Sequence, residues 1–521
     1  MKTPITKTLI LTLCALSVSA LNVLAQNLVV TSNTTVSDTH YENSGTNYAA
    51  LTNSSTWTVT GSAVTLTGTA ATGNGRYGAR IARGTLNLFS STVSANYRAI
   101  YLDNNSTANL TDSHVSTTGS LNDSTAIAFG SGTSRLFMNG GSIEASGSSG
   151  RGIMFFVYQP GIAVLRDVAI ITHGYAGAGV YGQYHSGGSF TMIGGSITTY
   201  GDSARAVHCM GSNSIYTLQN VAIHTSGVNS QGITAMFGNF QFSGGSITTE
   251  GDGSHGIWFN GGPMNGTFDG ITITTTGSGA DGVRMVASAT LALTNSELRT
   301  AGEDSSAFTV NDLSALTLNN TAVTVESAAP LLQVSGTGDG ATVTVNGGTL
   351  TGAGGGDLLH FTGTAAGTGS VTFNQADTAA AGGIIALGDT VSDNIVNVNG
   401  GTGLRGDLTN SGSGSLTVNL NDSTLTGDVI NAGDGSLVIA LNNHSTGTGA
   451  FTGGDLNIVD GDSHWTFGQD STLGHLGNHG TLNIGDHQIT VSNADHTGTL
   501  NLNVNSDSGQ GGSITVTGTA S

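Results

Sequence analysis

Carboxylates, histidines and nucleophile-like signatures are the residues of this chain that could do chemistry, and their spacing limits which chemistry is open to them. Asp202, Asp252 and Glu303 each lie five residues beyond an apolar residue, Ile197, Ile247 and Leu298. Two carboxylates act as acid and nucleophile on a glycosidic bond when about 5.5 Å apart, and calcium needs oxygens that converge directly. These three fall on alternate copies of a repeat, which at one strand spacing per copy separates neighbours by about 10 Å. They are expected to be solvated turn acids.

The histidines crowd toward the end: His464, His475, His479, His487 and His496. His475 and His479 would share a face on a helix and could bind zinc. The segment HLGNHGTLNIGD is glycine-rich and strand-like, so that spacing does not apply, and surface histidines are expected. His208 and Cys209 are adjacent, which on a strand points them to opposite sides and disfavours a shared ligand. Gly201-Asp202-Ser203 and Gly461-Asp462-Ser463 resemble nucleophile turns without the strand-to-helix elbow, and Asp507-Ser508-Gly509 lacks the preceding glycine of a GDSG signature. Gly354-Gly355-Gly356-Asp357 is a single run, where calcium-binding rolls need tandem copies. Arg405-Gly406-Asp407 could contact integrins, but LRGDLTN from Leu404 aligns with LTGDVIN from Leu425, so Gly-Asp belongs to a repeat. No residue is therefore assigned a catalytic, cofactor-binding or metal-binding role, and an enzyme is not expected.

What would position any of these groups is the repeat itself. GGSITTYGDSARAV from Gly194 returns as GGSITTEGDGSHGI from Gly244. Aligning the chain on this phrase places a first apolar residue at Val93, Val115, Ile143, Ile170, Ile197, Ile223, Ile247, Ile273, Leu298, Val323 and Leu350. A second falls at Ile100, Ile127, Ile153, Val180, Val207, Ile233, Ile257, Val283, Phe308, Leu332 and Leu359. Short alternating stretches such as Leu86-Asn87-Leu88 and Val343-Thr344-Val345 precede the first position. Each period thus holds about three short strands punctuated by Gly, Asn, Ser and Asp, residues that suit turns. The pattern implies an all-β chain: a parallel β-helix (solenoid) with coils of roughly 21–27 residues, right-handed as that class of fold is. Trp57 and Val59 are expected in an irregular capping coil.

Composition bounds the function. The chain has 521 residues, 81 of them glycine, only 9% charged, and a net charge of −20. So acidic a chain is a poor partner for nucleic acid or an anionic membrane. Lys2 and Lys7 followed by the apolar run Leu9–Val18 and small residues before Ala25 form a secretory signal peptide, with cleavage expected after Ala25. Removing it also removes Cys14, leaving Cys209 alone and no internal disulfide.

The segment DSHWTFGQDSTLGHLGNHGTLNIGD, from Asp462, resembles a recurrent element of pertactin-like autotransporter passengers. Trp465, Asp470, Ser471, Leu473, Leu476, Gly480, Thr481, Leu482 and Ile484 carry the resemblance. It implies a signal peptide at 1–25, β-helical passenger repeats at 26–390, shorter pertactin-like coils at 391–484 and the start of an autochaperone-like segment at 485–521. It also implies secretion through a C-terminal outer-membrane β-barrel, which these residues do not include. The expected function is adhesion, aggregation or host contact at the cell surface. Partners would be a host or bacterial surface protein, a glycan or further copies of the chain, through an extended polar surface. A polysaccharide-cleaving β-helix enzyme, lyase or hydrolase, is the alternative.

Overall fold

The structure is a computed structural model. It describes residues 77–119, 124–156, 160–183, 187–286, 288–335, 340–363, 367–386, 392–503 and 511–521, and the strand backbone of six segments between 28 and 68. The signal peptide and Asp507-Ser508-Gly509 lie outside the described residues. The described elements are β-strands, paired in parallel as a β-solenoid with about three strands per coil. Among the described residues no helix is long and apolar enough to cross a membrane. The chain divides into two compact units, Met1–Thr267 with Ile271–Thr276, and Phe268–Gly270 with Gly277–Ser521.

In the first unit, three ladders run through successive coils. Ladder one includes Thr85–Phe89, Ile162–Arg166 and Ser189–Ile193. Ladder two includes Thr92–Ala95, Ala169–Thr172 and Ser196–Thr199. Ladder three includes Tyr77–Ala82, Arg98–Asp103, Thr125–Phe129, Arg151–Phe155, Ala178–Gly182 and Arg205–Cys209. The apolar positions aligned by sequence are register partners. Val93 pairs with Val115, and the column continues through Ile143, Ile170, Ile197, Ile223, Ile247 and Ile273. Ile100, Ile127, Ile153, Val180, Val207, Ile233 and Ile257 form a second column. These side chains are buried, because each inward residue can leave water only by resting on its counterpart in the next coil.

The second unit repeats the plan. Leu298, Val323 and Leu350 are register partners, as are Val283, Phe308, Leu332 and Leu359. Leu404 pairs with Leu425 and Arg405 with Thr426, as their aligned motifs require. The coils then shorten beyond the expected range. Leu425 pairs with Gly447, Gly447 with Trp465 and Trp465 with Leu482, so the last two steps are 18 and 17 residues. The ladders run on past Gly485, where Gln488–His496 pairs with Ser513–Val516.

The repeated phrase proves to be scaffold. In GGSITTYGDSARAV, the pair Gly194 and Gly195 turns the corner between ladders one and two at φ of 66° and 80°. A Cβ on Gly195 would lie 2.2 Å from the Val168 carbonyl oxygen. Several coils without the glycine pair use Asp or Asn here, as at Asp112 and Asn220 (φ 46° and 53°), residues whose short side chains tolerate this conformation. Farther on, Gly201 approaches the coil below so closely that a Cβ would sit 2.1 Å from the Gly174 oxygen. Buried threonines close the next corner: Thr225 donates to the Ser230 carbonyl at 2.5 Å and Thr249 to the Ser254 carbonyl at 2.5 Å. A buried serine column stitches those corners together, with the Ser230 amide donating to Ser254 Oγ at 2.8 Å.

One expectation is corrected. Trp57 and Val59 belong to a regular strand, Thr56–Thr60, pairing with Thr34–Ser37 on one side and Thr85–Phe89 on the other. The expected three strands per coil hold, though two of them can be continuous. Thr107–Thr117, Arg135–Ala145, Ile215–Thr225 and Gly238–Thr249 run through the corner between ladders one and two without interruption. A single left-handed residue or glycine pair bends the strand there without breaking its pairing.

Candidate binding surface

The outer side of ladder three in the first unit carries Arg80, Arg98, Arg151 and Arg205, four of the chain's 11 arginines. The sequence holds 13 Lys and Arg in all. Arg98, Arg151 and Arg205 occupy one register column, with Thr125 and Ala178 on the coils between them. Each is followed by a small residue and then the buried apolar residue of its coil: Arg98-Ala99-Ile100, Arg151-Gly152-Ile153 and Arg205-Ala206-Val207. The small residue is needed where the backbone tucks against its neighbours. A Cβ on Gly152 would lie 2.5 Å from Ile170 Cγ2 and 2.6 Å from the Gly179 oxygen. That tuck leaves the preceding arginine outside the core, half-buried.

Aromatic rings surround these guanidinium groups. Arg98 lies over Tyr97 at 4.6 Å, Phe156 at 4.7 Å, Tyr101 at 5.2 Å and Tyr77 at 5.7 Å. It donates to the hydroxyls of Tyr97 (3.1 Å) and Tyr77 (3.4 Å), while its buried Nε has no hydrogen-bond partner among the described residues. Arg151 lies 4.4 Å over Tyr181. Arg205 donates from Nε to Gln231 Oε1 at 3.2 Å. Ring faces stabilise such cations electrostatically without neutralising them. Arg80, on the adjacent column, is neutralised by Asp103 at 2.6 Å. Burial by itself would raise the Asp103 carboxyl, but bonds from the Ser131 hydroxyl and amide and from Arg80 outweigh it and hold the group below the ordinary range.

A second outward column runs Tyr181, His208, Thr234, Trp258. His208 packs edge-on against Tyr181 at 5.0 Å. Burial, with Arg205 and Arg151 nearby, pushes its pKa down to about 3, so the imidazole is neutral. Cys209 points the other way, into the core, as strand alternation requires. Its Sγ faces the Phe237 carbonyl at 3.2 Å, and burial raises the thiol to about 11.

The other groups singled out by sequence are distributed. Asp202 accepts from the Val228 amide at 2.9 Å, one coil on. Asp407 of the Arg-Gly-Asp tripeptide accepts from the Asp428 amide at 3.0 Å, and Asp428 in turn from the Ala450 amide at 2.8 Å, so both aspartates tie coil to coil. Arg405 is exposed beside a groove of roughly 380 Å³ lined by Gln375, Asp377 and Thr424. Ser463 is buried and accepts from the Ser445 amide at 3.1 Å. Ser203 sits in a turn at φ 56°. Asp357 pairs with His360 at 2.9 Å and accepts from the Gly383 amide at 3.2 Å. His475, on the strand Ser471–Asn478, lies 3.4 Å from Asp495, whereas His479 meets Thr497 at 2.6 Å and His496 meets Asn478 at 3.1 Å. Among the described residues no group of three or more His, Cys, Asp or Glu could hold a metal ion.

Sequence reasoning missed the arginine column, although its signal was present. Each of the three arginines stands two residues before the second apolar position, on alternate coils. No family model matches the chain, and no curated protein matches it.

Proposed function

We propose that the chain is the passenger of a pertactin-like autotransporter, exported by its signal peptide and displayed at the cell surface, where it mediates adhesion, aggregation or host contact. The observation that carries this reading is the terminal coil bearing the resemblance. Trp465 is fully buried in register between Gly447 and Leu482, its Nε1 donating to the Gly449 carbonyl at 3.2 Å, and Phe451 packs edge-on at 5.1 Å. Trp465, Leu476, Leu482 and Ile484 of the motif thus pack the interior of the shortened coils.

The outer surface supports contact without a pocket. In the second unit, Asn319, Asn346, Asn374 and Asn399 form an amide ladder with Nδ2–Oδ1 distances of 2.9, 2.8 and 2.9 Å. Each amide is fixed by its neighbour and keeps further hydrogen-bonding capacity, so little side-chain freedom is lost on binding. Residues 26–521 fused to a heterologous outer-membrane barrel should aggregate cells or attach them to host cells above the level of the barrel alone. Surface display with neither behaviour would refute the adhesive reading. The arginine and tyrosine surface keeps a polysaccharide-cleaving enzyme as the second reading, tested by turnover of uronate polymers.

A further inference from the structure

We propose that the outer side of ladder three in the first unit binds a linear acidic polysaccharide, with Arg98, Arg151 and Arg205 each taking one carboxylate or sulfate. The proposal names a ligand for the adhesive reading, and rests on that reading only for display at a surface.

The first argument is register. The three arginines are separated by two coils each, a rise of about 10 Å per step. A 1,4- or 1,3-linked pyranose advances by about one strand spacing per sugar. A polymer with an acid on alternate sugars therefore carries charge at the period of the arginines when it lies along the column. The backbone ladder fixes that period, so the cations are pre-arranged.

The second argument is the state of the cations. In a chain of net charge −20, Arg98 is held by phenol hydroxyls and ring faces and Arg205 by a neutral amide. Partly desolvated cations kept in this way favour an incoming carboxylate, and a guanidinium matches its two oxygens with parallel donors. Two donors just beneath the same surface, Arg98 Nε and, on the neighbouring column, Trp258 Nε1, are buried without a hydrogen-bond partner among the described residues. The third argument is the aromatic content. Tyr77, Tyr181 and Trp258 add apolar faces of the kind on which pyranose C–H groups stack.

The test uses purified residues 26–521 and hyaluronan oligosaccharides, which carry one carboxylate per disaccharide, with neutral dextran of equal length as control. Titration calorimetry is expected to show binding to hyaluronan and none to dextran. Affinity should rise steeply from the disaccharide to the hexasaccharide, where three acids meet three arginines, then level off. Arg98→Gln and Arg205→Gln should each weaken hexasaccharide binding roughly tenfold, the scale of one charge-assisted bond. Arg299→Gln, which removes an ion pair with Glu326 in the second unit, should leave it unchanged. Should a variant misfold, protection of Arg98 and Arg205 from phenylglyoxal by hyaluronan in the wild-type chain reads the same contact. Equal binding of dextran, no gain from disaccharide to hexasaccharide, or wild-type affinity in both folded variants would overturn the proposal. If the purified chain ignores hyaluronan while displayed cells still aggregate, this inference fails and the adhesive reading stands. Binding by the purified chain with no adhesion on display upholds the polysaccharide site and refutes the adhesive reading.

Discussion

Gly447 and Trp465 offer a test in which the sign of an effect, not only its size, follows from the packing. The two are register partners on adjacent coils. A Cβ at Gly447 would lie 1.9 Å from Cε3 and 2.2 Å from Cζ3 of the Trp465 ring. The ring cannot swing aside freely, since it is fully buried, held by the bond to Gly449 and packed against Phe451. Gly447→Ala should therefore cost about 1–3 kcal/mol, the usual penalty of overpacking a filled core. Gly447 is not among the glycines with positive φ, so alanine suits its backbone, and without the clash the same change should stabilise by about 0.4–1 kcal/mol. Trp465→Leu supplies that background, so Gly447→Ala should be destabilising with tryptophan present and neutral to stabilising with leucine. Hydrogen exchange of the coil amides between 437 and 484 measures the local opening free energy in each of the four proteins. The same destabilisation in both backgrounds, or none in either, would refute the account of the motif as a packed glycine–tryptophan pair.

Further outcomes follow from the same geometry. His208 is neutral in the folded chain with a pKa of about 3, whereas an unfolded histidine titrates near 6.5. Its contribution is intact above about pH 6.5 and is lost as pH falls from there toward 3, up to roughly 4–5 kcal/mol. His208→Gln should flatten the pH dependence of exchange in ladder three, with Arg151, Arg205 and Tyr181 left in place. Cys209 should resist a disulfide reagent at pH 8 in the folded protein and react only after denaturation. Thr249→Val strands the Ser254 carbonyl and should cost about 1–3 kcal/mol by denaturant unfolding. Thr317 and Thr344 are register partners, so replacing both with cysteine allows a disulfide that closes a loop. If the chain is threaded unfolded through a barrel, that double variant should stall at export under oxidising conditions and recover with reductant.

The coil was legible in the order of residues. Inward residues at Ile197, Ile223 and Ile247 could be aligned because burial demands an apolar residue at a recurring place, and each pairs as aligned. The Arg-Gly-Asp tripeptide could be read as repeat for the same reason, through its match to the next coil. The strand at Trp57 could not, because an irregular local pattern hides a segment whose regularity lies in its pairing. What the outward residues become had to wait for the stacked coils. Arg98 and Arg151 are more than fifty positions apart, and coils of unequal length bring them into one column. His208 faces outward as alternation requires, yet it is neutral because Tyr181 and neighbouring residues remove it from water. Inward positions answer to one rule, exclusion from solvent, which a single period can express. The same period places the outward positions, as the arginines two residues before the second apolar position show, but the surroundings that set their state depend on which neighbours the intervening loops bring alongside.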